Sequence, residues 1–90
     1  MTYVFNTMLT AEQLAALRAE PGTNRVAKAI ALAGVTQGTV AAALGFPQPY
    51  ISDVARRRYQ TITVENARKF AHYFGCSIED LFPAPEQAAS

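Results

Sequence analysis

One cysteine, one histidine and no tryptophan among 90 residues leave little raw material for several kinds of chemistry. A lone Cys76 excludes an internal disulfide framework and any multi-cysteine metal site. With His72 as the sole imidazole, zinc chemistry and a nucleophile–histidine triad lack their ligands and bases. No acid–base or nucleophile constellation stands out, so the expectation is a protein that is not an enzyme and takes no cofactor or metal. Long apolar runs are missing too. None exceeds five residues, as in 29–33, whereas a membrane span needs about 20. The N-terminal MTYVFNTMLT has neither a basic region nor an apolar stretch of signal-peptide type. The expectation is a cytoplasmic chain without a membrane partner, of a length that suits one small domain.

Charge of either sign is sparse, but it is unevenly placed. Residues 24–73 hold Arg25, Lys28, Arg56, Arg57, Arg58, Arg68 and Lys69 against Asp53 and Glu65. Acidic residues outnumber basic ones on both sides of that segment. A basic middle between acidic ends fits a face for a polyanion, and it also fits an ordinary solvated surface.

What is present is helical punctuation. Thr10 with Gln13 is a capping box, Leu9 and Leu14 suit a hydrophobic staple, and Pro21 with Gly22 ends the first helix. Leu14 and Leu17 give that helix a narrow apolar stripe. Thr23 or Asn24 caps a second helix, whose Val26, Ala29, Ile30 and Ala33 recur at helical spacing up to Gly34. Thr36 caps a short third helix over residues 37–44, stopped by Gly45. Tyr50, Ile51 and Val54 continue the periodicity a few residues later. Pro47 and Pro49 are tolerated only in a cap or first turn, so a fourth helix starts at 47 or 48 and is expected to reach 57. Thr63 caps a fifth, with Val64, Ala67, Phe70, Ala71 and Phe74 on one face. Ser77 with Asp80 starts a last helical turn, which Pro83 ends.

Two short helices separated by a glycine turn form a helix-turn-helix pattern. Ala41 is small where the helices cross, Gly45 permits a tight turn, and Val40, Leu44, Ile51 and Val54 anchor both helices. Gln48, Pro49, Ser52 and Asp53 remain for the outer face, with Arg56, Arg57 and Arg58 behind them.

The matching positions are Thr36 and Gln37, Ala41, Leu44 and Gly45, Ile51 and Ser52, Ala71, Phe74 and Gly75, Ser77 and Ile78, and Leu81 with Phe82. In these the chain resembles the Cro/C1-type (xenobiotic-response-element) helix-turn-helix family over about residues 24–82. The resemblance implies an all-α, five-helix lambda-repressor-like bundle, here with an additional N-terminal helix, that binds operator DNA, usually as a dimer. Residues 1–23 would be an arm and extra helix, 24–82 the DNA-binding domain, and 83–90 a flexible tail. Ala55 and Arg57 replace the Glu and Gly usual in the family, so the fourth helix is expected to run a turn longer.

By position in the family, Gln37 is a phosphate contact and Gln48 lies where base contacts occur. The side-chain chemistry agrees. Gln pairs with adenine, Ser with several base edges and Asp with cytosine, while Pro49 offers apolar surface to a thymine methyl. Two readings of Asp53 stand: direct readout, or a local pair with Arg56 or Arg57. Arg56, Arg57 and Arg58 are expected on phosphates, with Arg25 and Lys28 as weaker candidates. Tyr50 is either a DNA-backbone contact or a packing residue.

The partner expected is double-stranded DNA, and the function that of a sequence-specific transcriptional regulator, most simply a repressor. Small family members also act as antitoxins that repress their own operon, so a toxin protein is an alternative partner. A protein-interaction module without DNA binding is a third reading. A homodimer is expected because one module reads only a few bases, each worth about 1–3 kcal/mol of discrimination. Tyr3, Phe5, Leu14, Leu17 and Phe82 are the apolar candidates for its interface, and for Leu14 and Leu17 the alternative is an N-terminal helix folded back onto its own core.

Overall fold

A computed structural model of the chain describes residues 8–56 and 62–84, and among them six helices and no strand. The first, α1 (Ala11–Ala19), begins where the capping box places it. Gln13 N donates to Thr10 Oγ1 at 3.2 Å, and Thr10 N donates to Gln13 Oε1 at 2.8 Å. Gln13 Nε2 also donates to Leu32 O at 2.8 Å, so one side chain both caps α1 and ties it to the next helix.

That helix, α2 (Val26–Ala33), starts later than either expected cap. Arg25 holds the cap position without a side-chain hydrogen bond, while Asn24 Oδ1 accepts from Val26 N at 3.0 Å. Asn24 thus serves the helix start from one residue further out. The next helix, α3 (Gln37–Leu44), is capped by Thr36, whose Oγ1 accepts from Thr39 N at 3.1 Å, and meets α2 at 102°.

Gly45, at φ 75°, carries the chain out of α3 in a left-handed conformation that costs a side-chain-bearing residue about 1–2 kcal/mol. After Phe46, Pro47 caps α4 (Gln48–Ala55) and Pro49 sits in its first turn, where no intrahelical N–H partner is lost. Among the described residues α4 ends at Ala55, short of the expected end at 57, which lies outside them. Arg56, at the cap, makes the last helical bond, its N–H donating to Ser52 O at 2.9 Å.

The long helix α5 (Val64–Phe74) and the short α6 (Ile78–Leu81) start at Thr63 and Ser77, as their cap chemistry predicts. Val64, expected on the buried face, is 63% exposed at the first helical position. Tyr73 is buried instead, edge-on to Phe74 with ring centroids 5.0 Å apart.

One core runs through the described residues. Ile30 of α2, Val40 of α3, Ile51 of α4 and Phe70 of α5 meet in it, joined by Leu81 of α6 and by Leu9 and Leu17 from the N-terminal side. Each large side chain fully buried there contributes about 1.5–3 kcal/mol. Pro83, expected to open a flexible tail, is buried and belongs to this body. Among the described residues no single helix is long and apolar enough to cross a membrane.

Candidate nucleic-acid interface

The candidate interface is built on the α3–α4 corner. Gly45 N and Phe46 N both donate to Ala41 O, at 2.9 and 3.0 Å, which satisfies an end-of-helix carbonyl and makes the turn tight. Phe46 then drops its ring between Tyr50, at 4.8 Å between centroids, and Phe70, at 5.9 Å. Lys69 Nζ stands 5.0 Å from the centre of the Phe46 ring, in cation–π range. A long helix at the back of the fold therefore holds the turn at the front.

With Ile51 and Val54 buried, α4 has one inward edge. Gln48 and Pro49 are exposed and Ser52 and Asp53 half-exposed; Arg56, at the helix end, is exposed. The Gln48 carboxamide lies over the first turn of α3: a Cβ added at Gly38 would stand 3.6 Å from Gln48 Oε1. The half-exposed Gln37 opens that same turn, so the ends of the two motif helices that carry Gln37 and Gln48 converge. Tyr50 is half-buried, and its hydroxyl accepts from Asn66 Nδ2 at 3.0 Å, which directs the phenol toward α5.

The other expected cations sit elsewhere. Arg25 is 8% exposed, with Nε donating to Glu20 O at 2.7 Å and Nη1 to Asp80 O at 3.3 Å. Its guanidinium saturates carbonyls that follow α1 and lie in α6. This corrects the expectation of a phosphate contact, since a buried side chain committed to two carbonyls presents no charge to a polyanion. Lys28 Nζ is drawn to within 3.9 Å of Glu20 Oε1, toward the end of α1. Arg57 and Arg58 lie outside the described residues, as do Tyr3 and Phe5 of the expected dimer interface.

Leu17, also expected at that interface, is fully buried in its own chain because α1 packs onto α2 and α6. Leu14 and Phe82 are half-buried against the same core.

Arg18 and Asp80 form an ion pair that ties α1 to α6. The hydrogen bond from Arg18 holds the Asp80 carboxyl below its ordinary range, against the opposing effect of burial, and bonds from Ser77 add to the lowering. Burial pushes the Cys76 thiol up to about 11. Among the described residues no group of His, Cys, Asp and Glu could hold a metal ion.

Residue composition alone gave no hint of Asn24, Asn66 or Lys69 near this corner. Their roles come from helix crossings, and only the position of Asn24 just before a helix carries any local signal.

A family model described as Helix-turn-helix matches residues 26–81, well over half of the chain. The chain belongs to the Cro/C1-type helix-turn-helix family. The match runs from the first residue of α2 to the last of α6 and leaves α1 outside it. This helix-turn-helix protein is thus a DNA-binding regulator by family, with α3 and α4 as its motif. Neither the curated proteins nor the solved structures hold a match to it.

Proposed function

We propose that the chain is a sequence-specific transcriptional repressor that lays α4 in the DNA major groove. The observation that carries this reading is the outward edge of α4. Gln48, Pro49, Ser52 and Asp53 follow one another along an eight-residue helix whose opposite edge is locked into the core. A helix so presented suits the major groove, and its polar side chains match base edges there. In this reading Gln48 and Ser52 read bases, Pro49 meets a thymine methyl and Asp53 reads cytosine or orients a neighbouring Arg. Gln37 and Arg56 contact phosphates, and Arg57 and Arg58 extend the contact.

The reading includes a homodimer. A genome offers on the order of a million or more competing sites, more than one eight-residue helix can reject. Two copies would read half-sites about 34 Å apart, one turn of DNA. Of the residues expected at such an interface, Leu14 and Phe82 are the described ones left half-buried rather than fully covered.

Selection of binding sites from random duplexes tests the reading. A palindromic consensus whose affinity falls steeply with salt supports it. Binding without preference, or recovery of no duplex at all, refutes it. Sedimentation of the protein at micromolar concentration tests the dimer separately: a monomer there removes that part of the reading.

A further inference from the structure

Hydrophobic burial holds α4 against the core, but non-directional contact sets its rotation only coarsely. Only Ile51 and Val54 of α4 are fully inside, and they lie on one edge of the helix. Tyr50 and Ala55 pack half-buried beside them, but apolar contact is non-directional and sets the roll of a helix less sharply than a hydrogen bond does. A roll of about 20° moves a side-chain tip roughly 6 Å from the axis by about 2 Å. That displacement is enough to break a base contact, since hydrogen bonds tolerate only a few tenths of an ångström around 2.7–3.2 Å. Directional bonds are what hold a helix to that tolerance.

Two side-chain amides meet α4, one at each end. At the first turn, Asn66 Nδ2 of α5 donates to the Tyr50 hydroxyl at 3.0 Å. At the last turn, Asn24 Nδ2 donates to Val54 O at 2.7 Å. Neither amide is free to wander. Asn24 Oδ1 is committed to Val26 N at the start of α2, which turns its NH2 toward α4. Asn66 is held on α5, where its own backbone N–H is bound by the Thr63 cap. The Tyr50 ring is in turn braced against Phe46. One amide therefore relates α4 to α2 and the other relates it to α5.

We propose that Asn24 and Asn66 are positioning residues for the DNA-reading helix, two amide clamps that fix the roll of α4 and through it the base preference. The effect on base preference rests on the reading of α4 given above; the effect on helix orientation does not.

The test uses the full chain with Asn24→Asp and, separately, Asn66→Ala. Asn24→Asp keeps the oxygen that serves Val26 N and removes the N–H that reaches α4, so a loss of the α2 start does not confuse the result. Thermal unfolding confirms that each variant is folded. Backbone residual dipolar couplings of residues 48–55 in the free protein report the orientation of α4 relative to α3 and α5. Both variants are expected to shift those couplings out of the wild-type frame. Each is also expected to lower affinity for the selected site about 3- to 10-fold, the scale of one neutral hydrogen bond. Affinity for a scrambled duplex and its salt slope stay as in the wild type. Unchanged couplings in both variants overturn the clamp. Shifted couplings with equal losses on both duplexes overturn its role in base preference. If the wild type itself prefers no site, it is the function proposed above that fails, and the couplings alone then decide the clamp.

Discussion

Arg18 Nε donates to Asp80 Oδ1 at 2.8 Å, joining residues 62 positions apart. The same Asp80 caps α6 through Ser77, and its backbone oxygen receives the buried Arg25. The helix outside the family match is thus fastened to the last helix inside it. The N-terminal segment is part of the folded body from Leu9 onward.

This fastening depends on pH in a defined direction. The folded Asp80 carboxyl titrates below its unfolded value because Arg18 bonds it. Its contribution is therefore complete above the unfolded carboxylate value of about 3.9 and is lost as pH falls through the lower, folded value. Thermal midpoints recorded from pH 2 to 7 should fall at the acid end. Asp80→Asn should lower the midpoint at pH 7 and flatten that fall, so that the two curves converge in acid. Parallel curves would show that the Asp80 pair contributes nothing to the fold.

Arg25 and Arg56 are both arginines of the basic middle segment, and the structure separates them. Arg56→Ala should leave the unfolding free energy within about 0.5 kcal/mol of wild type, as exposed substitutions do. It should also reduce the log–log salt slope of DNA binding by about 0.9, the change for one lost phosphate contact. Arg25→Ala should do the reverse: destabilise the fold and leave the slope alone. Salt titrations and unfolding curves on the two variants measure both arms, and a reduced slope for Arg25→Ala would place its side chain outside the core.

Leu17 is 0% exposed, so truncating it should damage folding rather than association. Leu17→Ala is expected to cost about 2–5 kcal/mol of stability through the cavity it leaves. The sedimentation coefficient of the folded variant should match that of the wild type. Loss of a dimer at unchanged stability would contradict the packing of α1 onto its own chain.

Gln48→Ala should cost about 1–3 kcal/mol on the selected site and relax preference at one base pair. Affinity for scrambled duplex should barely change. Equal loss on every sequence would make Gln48 a contact that positions the protein on the DNA backbone.

Cys76 is predicted to be a slow thiol. At a value of about 11 only roughly one part in a thousand is thiolate at pH 8, and the thiolate is the reactive form. Alkylation of the folded protein should lag far behind that of the unfolded chain, and equal rates would place Cys76 in open solvent.

The sequence by itself determined the elements and their order. Capping at Thr10, Thr36, Thr63 and Ser77 is local chemistry, made by a side chain and an N–H three residues on, and all four starts were legible. So was the α3–α4 corner, because Gly45 and the two prolines admit few conformations there. The resemblance to the helix-turn-helix family rested on the same residues, and the family match agrees with it. What only the tertiary structure decided is which of several equivalent side chains lie at a crossing. Arg25 and Arg56 read alike in a charge count, yet one closes carbonyls in the interior and the other faces solvent. For Leu17 the sequence left two readings, spare apolar surface or an N-terminal helix folded back onto its own core; α2 and α6, distant along the chain, cover it. Asn24 read only as a helix cap, and Asn66 carried no pattern at all; neither signalled a bond to α4. A polar residue acquires its partner only when two helices, placed by apolar packing, bring a donor within 3 Å of an acceptor far along the chain.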